Sequence, residues 1–110
     1  MVKPVAGEIV VIPFPRADGS GEKRRPALVI ADLPGADLIL CQITRRGHWD
    51  SFAVPLDKSD CERGQIDQPC YIRPQRLFTL EHHLILHSLG KVTEPKLEEV
   101  LKRAREFFID

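Results

Sequence analysis

"TEPKLEEVLKRAREFFID", residues 93–110, is the stretch on which the fold turns, because it is apolar at helical spacing and nothing upstream of it is. Leu97, Val100, Leu101, Ala104, Phe107 and Phe108 recur three or four apart with charges between them, which predicts an amphipathic helix with one buried face. Thr93 suits the N-cap, and Glu94 and Pro95 suit the first turn. Upstream, "GEIVVIPF" (7–14), "PALVIAD" (26–32), "ADLILCQIT" (36–44), "SFAVPLD" (51–57), "CYIRPQRLF" (70–78) and "LILHSLGKV" (84–92) are short β-rich runs and read as strands. The proline inside "CYIRPQRLF" predicts a bulge or an edge. "PRADGSGEKRR" (15–25) and "KSDCERGQIDQ" (58–68) read as loops, and "TLEHHL" (79–84) as a short helical turn. About six strands followed by one helix predict a mainly β fold: a small, strongly bent barrel with the C-terminal helix packed on it, as one domain over residues 1–110.

The totals limit what such a domain does. Lys plus Arg is 16 and Asp plus Glu is 16, so bulk charge does not drive non-specific coating of nucleic acid. The charge is uneven, however: Arg16, Lys23, Arg24 and Arg25 stand against only Asp18 and Glu22 between positions 16 and 25. Three cysteines without a CxxC pair cannot all be bridged within the chain, which favours a reducing, cytoplasmic setting. No window approaches the ~20 apolar residues of a membrane helix, and the N-terminus lacks a secretory h-region, so no membrane association is expected.

Chemistry is not announced by a familiar enzyme motif. There is no P-loop, no GxGxxG and no recognisable nucleophilic triad. His83 and His87 are four apart but do not share one predicted helix, His83 falling in the short turn and His87 on the following strand, so no metal site and no cofactor are expected. The arginines are more informative. Arg24 and Arg25 end the first loop, Arg45 and Arg46 follow Thr44 at the end of the third strand, and Arg73 and Arg76 interrupt the fifth. Arginines rim many small barrels with no function beyond solubility. Three strand ends that bring guanidinium groups, one beside a hydroxyl, also suit a shared anionic ligand such as phosphate.

The residues "GEIVVIPF", "RRPALVI", "CQIT", "YIRPQRLFTL" and "LGKV", in this order across nearly the whole chain, resemble the MazF/PemK family of bacterial toxins. The resemblance implies an SH3-like barrel, a homodimer, and cleavage of single-stranded RNA without a metal ion. It implies a toxin of a type II toxin–antitoxin pair, silenced by an acidic antitoxin whose disordered tail covers the RNA site. By the same resemblance Arg25 and Thr44 act at the scissile phosphate, where loss of one such donor costs about 3 kcal/mol, or roughly 100-fold in rate. Arg73 matches the arginine of an "R-x-D" step that supplies an acid and a base, and is the third catalytic candidate. Here the base position is Gln75, and an amide does not accept a proton at neutral pH. His48 and Glu22 are alternative bases, with His48 favoured because an imidazole titrates near about 6.5; neither is assigned. Arg24, Arg45, His48, Gln75 and Arg76 are the expected RNA contacts, with Arg24, Arg25, Arg73 and Arg76 forming a cationic groove. The rim from Trp49 to Val54 is the expected dock for the antitoxin's apolar anchors. An alternative is a non-catalytic toxin similar to the CcdB toxins, which bind DNA gyrase, or an RNA-binding homologue with weakened catalysis.

Overall fold

A computed structural model describes residues 2–108. Seven strands are present among the described residues: β1 (Glu8–Pro15), β2 (Glu22–Asp32), β3 (Asp37–Thr44), β4 (Val54–Leu56), β5 (Cys61–Gly64), β6 (Cys70–Glu81) and β7 (His87–Val92), followed by the helix α1 (Glu94–Glu106). They form one sheet in the order β4-β6-β3-β2-β1-β7-β5, with every pair antiparallel. Alternation along the central strands sends two sets of apolar residues to opposite faces. Ile9, Leu28, Cys41, Ile43, Ile72 and Val92 form one cluster with Val100 of α1, and Val10, Ile12, Ala27, Val29, Leu38 and Leu40 form the other with Ile85. The helix therefore covers one face only. On the other face Phe14 and Phe78 meet edge to face at 5.5 Å.

The helix follows its sequence signals. Thr93 Oγ1 accepts the Lys96 N–H at 3.4 Å and Pro95 sits in the first turn. Val100 and Ala104 are buried, Leu97, Leu101 and Phe107 are half-buried, and Phe108 lies exposed past the helix end.

Three elements depart from the pattern reading. β5 lies inside the segment expected to be loop; three of its four residues are exposed and two are charged, so no alternation betrays it. It is held to β7 by a glycine pair, since a Cβ at Gly64 would lie 2.1 Å from the Leu89 carbonyl oxygen and one at Gly90 2.3 Å from the Arg63 carbonyl oxygen. β2 begins at Glu22 rather than Pro26, because Glu22–Arg25 pair with Ile12–Pro15 of β1. β6 runs to Glu81, so only residues 82–84 of the expected turn are helical. The bulge expected at the proline is present and large: Cys41 pairs with Leu77 while the next residue, Gln42, pairs with Arg73, which leaves Pro74, Gln75 and Arg76 outside the ladder.

Candidate functional site

The extension of β2 makes Arg24 and Arg25 strand residues, not loop residues. Beside them β3 ends at Thr44, followed directly by Arg45 and Arg46. A groove of about 670 Å³ opens here, lined by Lys23, Arg24, Arg25, Thr44, Arg45 and Arg46, with Gln65, Asp67 and Gln68 from the loop before β6. Five cationic residues and one carboxylate residue line this hollow, and none of the five makes an ion pair among the described residues. Thr44 Oγ1 accepts the Arg46 N–H at 3.2 Å, which orients the hydroxyl and leaves its own proton for a ligand.

Arg73 does not line this groove. By register it shares a face with two of the groove's residues: Ala27 pairs with Gln42 and Gln42 with Arg73, and alternation puts Arg25 and Thr44 on that face two residues along, whereas Ile9, Ile43 and Cys70, which also line the groove, belong to the opposite face. Arg73 is claimed by a carboxylate that the motifs do not mark. Its Nε donates to Asp50 Oδ2 at 2.9 Å, its Nη1 donates to Gln42 Oε1 at 3.4 Å, and its guanidinium carbon lies 5.3 Å from the centre of the Trp49 ring. Gln75 Nε2 donates to the same Asp50 oxygen at 2.6 Å, and the Phe52 N–H donates to Asp50 Oδ1 at 2.9 Å. The Asp50 side chain is only 4% exposed. Burial pushes its pKa up, but the bonds from Phe52, Gln75 and Arg73 outweigh this and hold it below the usual carboxylate range. The carbonyl oxygen of Gln75 is buried without a partner among the described residues, so Asp50 is what orients this amide.

The remaining expected residues scatter. Arg76 lines a second hollow of about 540 Å³ with Gln75, Ile12, Phe14, Leu77 and Phe78. The expected groove of Arg24, Arg25, Arg73 and Arg76 is corrected accordingly: Lys23, Arg45 and Arg46 complete it, Arg73 is neutralised by Asp50, and Arg76 faces elsewhere. His48 is exposed and lines neither hollow, and Glu22 is exposed at the start of β2. Of the rim from Trp49 to Val54, Trp49 is 67% exposed and Phe52 48%, but Val54 belongs to the core and cannot dock a partner. Asp50 and Asp67 are the acidic groups the motifs missed, since each reaches its site from a loop. The described residues hold no group of three or more metal-ligating side chains, and Cys41, Cys61 and Cys70 are free thiols. Burial pushes the Cys41 thiol up to about 12, leaving it inert.

A curled antiparallel sheet with one C-terminal helix, carrying a cationic groove between the start of β2 and the end of β3, defines a small β protein with a candidate anion site. The family described as PemK-like, MazF-like toxin of type II toxin–antitoxin system matches residues 6–108, and the chain belongs to that family. In fold it is similar to a chain of the MazE–MazF complex from Deinococcus radiodurans (21% identity, TM-score 0.77, 96% of this chain and 95% of that one). It is also similar to an endoribonuclease in complex with its cognate antitoxin from a mycobacterial species (17%, 0.73, 96% and 94%) and to the Mycobacterium tuberculosis toxin MazF-mt6 (18%, 0.69, 94% and 98%). No curated protein matches the sequence.

Proposed function

We propose that this protein is an endoribonuclease that cleaves single-stranded RNA without a metal ion and acts as the toxin of its pair. The observation that carries this reading is the groove lined by Thr44 together with Lys23, Arg24, Arg25, Arg45 and Arg46, five cations that make no ion pair among the described residues. In the reaction the RNA 2'-oxygen bonds to phosphorus and the P–O5' bond breaks. The 2'-OH proton passes to a base and the 5'-oxygen takes up a proton as it leaves. Charge builds on the non-bridging phosphoryl oxygens, and fixed donors aimed at them need no reorganisation as it appears. Arg25 and Thr44 are assigned to those oxygens, with Arg73 as a further donor. Asp67, which lines the groove, is our candidate for the base. Arg24 and Arg45 are assigned to flanking phosphates, and exposed His48 and Arg76 with Gln75 to the RNA beyond them. Incubation with mixed RNA in EDTA is expected to give discrete fragments ending in 2',3'-cyclic phosphate. Intact RNA, or cleavage that EDTA abolishes, would overturn the proposal.

The same reading makes the protein a cytoplasmic homodimer. Three free thiols suit a reducing compartment, and the second hollow, walled by Ile12, Phe14, Leu77 and Phe78, offers the apolar surface that two-fold pairing uses. Sedimentation as a monomer at micromolar concentration would count against the dimer. A non-catalytic, CcdB-like binder of DNA gyrase draws on one observation, the neutralisation of Arg73 by Asp50; the EDTA assay separates the two.

A further inference from the structure

Asp50 has no role in the reading so far, yet it is a nearly fully buried carboxylate on a loop, a placement that needs a reason. Its loop is pinned from several directions. The Asp50 N–H donates to Gly47 O at 3.0 Å and the Ala53 N–H to Asp50 O at 3.2 Å, closing two turns around it. Gly47 lies against Tyr71 so closely that a Cβ there would stand 2.5 Å from the tyrosine Cβ. From the other side α1 holds the loop: Arg103 Nη1 donates to Ser51 O at 3.2 Å, and Phe52 meets Phe107 edge to face at 5.0 Å. The loop's own turns, β6 and α1 therefore fix a carboxylate whose one oxygen collects both Arg73 Nε and Gln75 Nε2. Gln75 lies in the bulge that leaves the β3–β6 ladder, where no backbone register would otherwise fix its amide. With Nε on Asp50 and one Nη1 bond to Gln42, the other N–H donors of the Arg73 guanidinium have no partner among the described residues.

We propose that Asp50 is a positioning residue for RNA cleavage: it anchors Arg73 by the Nε side beneath Trp49, so that the free edge of the guanidinium meets the phosphate in one fixed orientation. The proposal rests on the ribonuclease reading. It also explains how a glutamine is accommodated in this cluster: Gln75 serves the carboxylate as a donor, and the negative charge comes from the loop rather than from β6. A mobile arginine would have to be ordered by each substrate, whereas an anchored one is ordered in advance, and misplacement of such a group by an ångström costs up to about 100-fold in rate.

The test is a double-mutant cycle on the full-length protein with a fluorogenic single-stranded RNA, reading kcat and KM separately from pH 5 to 9, with circular dichroism as the fold control. Asp50→Asn is expected to lower kcat about 10- to 100-fold with little change in KM. Gln75→Glu sets two carboxylates at one spot, so that they share a proton, and is expected to move the pH profile toward acid. The double variant, which exchanges the amide and the carboxylate between the two positions, is expected to recover most of the loss. Should Asp50→Asn fail to fold, the Gln75→Glu pH profile decides, and an unchanged profile overturns the proposal. A wild-type kcat for Asp50→Asn, a loss carried by KM alone, or strictly additive effects in the cycle would each overturn it while leaving the ribonuclease reading in place. Absence of cleavage by the unaltered protein would overturn both.

Discussion

Arg25 and Thr44 lie two residues outside the paired Ala27 and Gln42, on the ends of neighbouring strands, so the backbone ladder rather than a flexible loop carries them to the groove. Replacing Arg25 or Thr44 with alanine is expected to lower kcat/KM on RNA at least about tenfold while circular dichroism stays unchanged. An unchanged rate for Arg25→Ala would remove it from the site. Both residues were legible in the sequence, because "RRPALVI" and "CQIT" are contiguous. Asp50 was not, because its partners Arg73 and Gln75 stand 23 and 25 residues away in the chain. The resemblance puts a base at the Gln75 position and taken alone implies that Gln75→Asp raises activity; the contact with Asp50 leads us to expect the opposite. An acid at this position faces Asp50 instead of donating to it, and the expected result is a lower rate.

At the scale of elements, polarity hid what the backbone does. α1 was legible because its apolar stripe has a helical period and its cap is local. β5 was not, because an exposed, charged edge strand has no hydrophobic alternation, and its place is set by the contact between Gly64 and Gly90. This gives a test of the pairing. Gly64 has φ +72 with the Leu89 carbonyl against it, whereas Gly19 has φ +77 with nothing within 4 Å. Gly19→Ala is expected to cost about 1 kcal/mol from backbone strain alone. Gly64→Ala should cost about 1–3 kcal/mol more, the added clash of overpacking, as measured by chemical denaturation. Equal costs would show that β5 is not tightly apposed to β7.

For the molecule as a whole, the lowered pKa of Asp50 links stability to pH. A group whose folded pKa lies below its unfolded value of about 3.9 stabilises the fold above that value, and the contribution is lost as pH falls through the folded pKa. Asp18 and Asp57, held down by bonds from Ser20 and Ser59, act in the same direction. The melting temperature of the unaltered protein is therefore expected to fall more steeply below about pH 4 than that of Asp50→Asn, the remaining slope being that of the other two. Parallel curves would contradict the buried pairing. The neutral total charge with a local cationic groove carries a second expectation. An acidic, disordered antitoxin tail would compete with RNA for Arg24, Arg25, Arg45 and Arg46, with exposed Trp49 and Phe52 as apolar anchors. A purified toxin–antitoxin complex should then cleave RNA far more slowly than the free protein. An equal rate would place the antitoxin elsewhere.

By itself the sequence determined what depends on near neighbours: the helical stripe with its cap, the apolar strands and the bulge at Pro74, while Arg25 and Thr44 are marked by the family motif alone. Only the tertiary structure decided what depends on distance along the chain. It extended β2 through the arginines by pairing them with β1, set β5 against β7, and sorted six arginines and a lysine into a groove without ion pairs among the described residues, a neutralised Arg73 and a separate Arg76. The physical reason is that a charge is defined by what faces it. Nothing adjacent to Asp50 in sequence records that Arg73, Gln75 and a loop pinned by α1 will close around it.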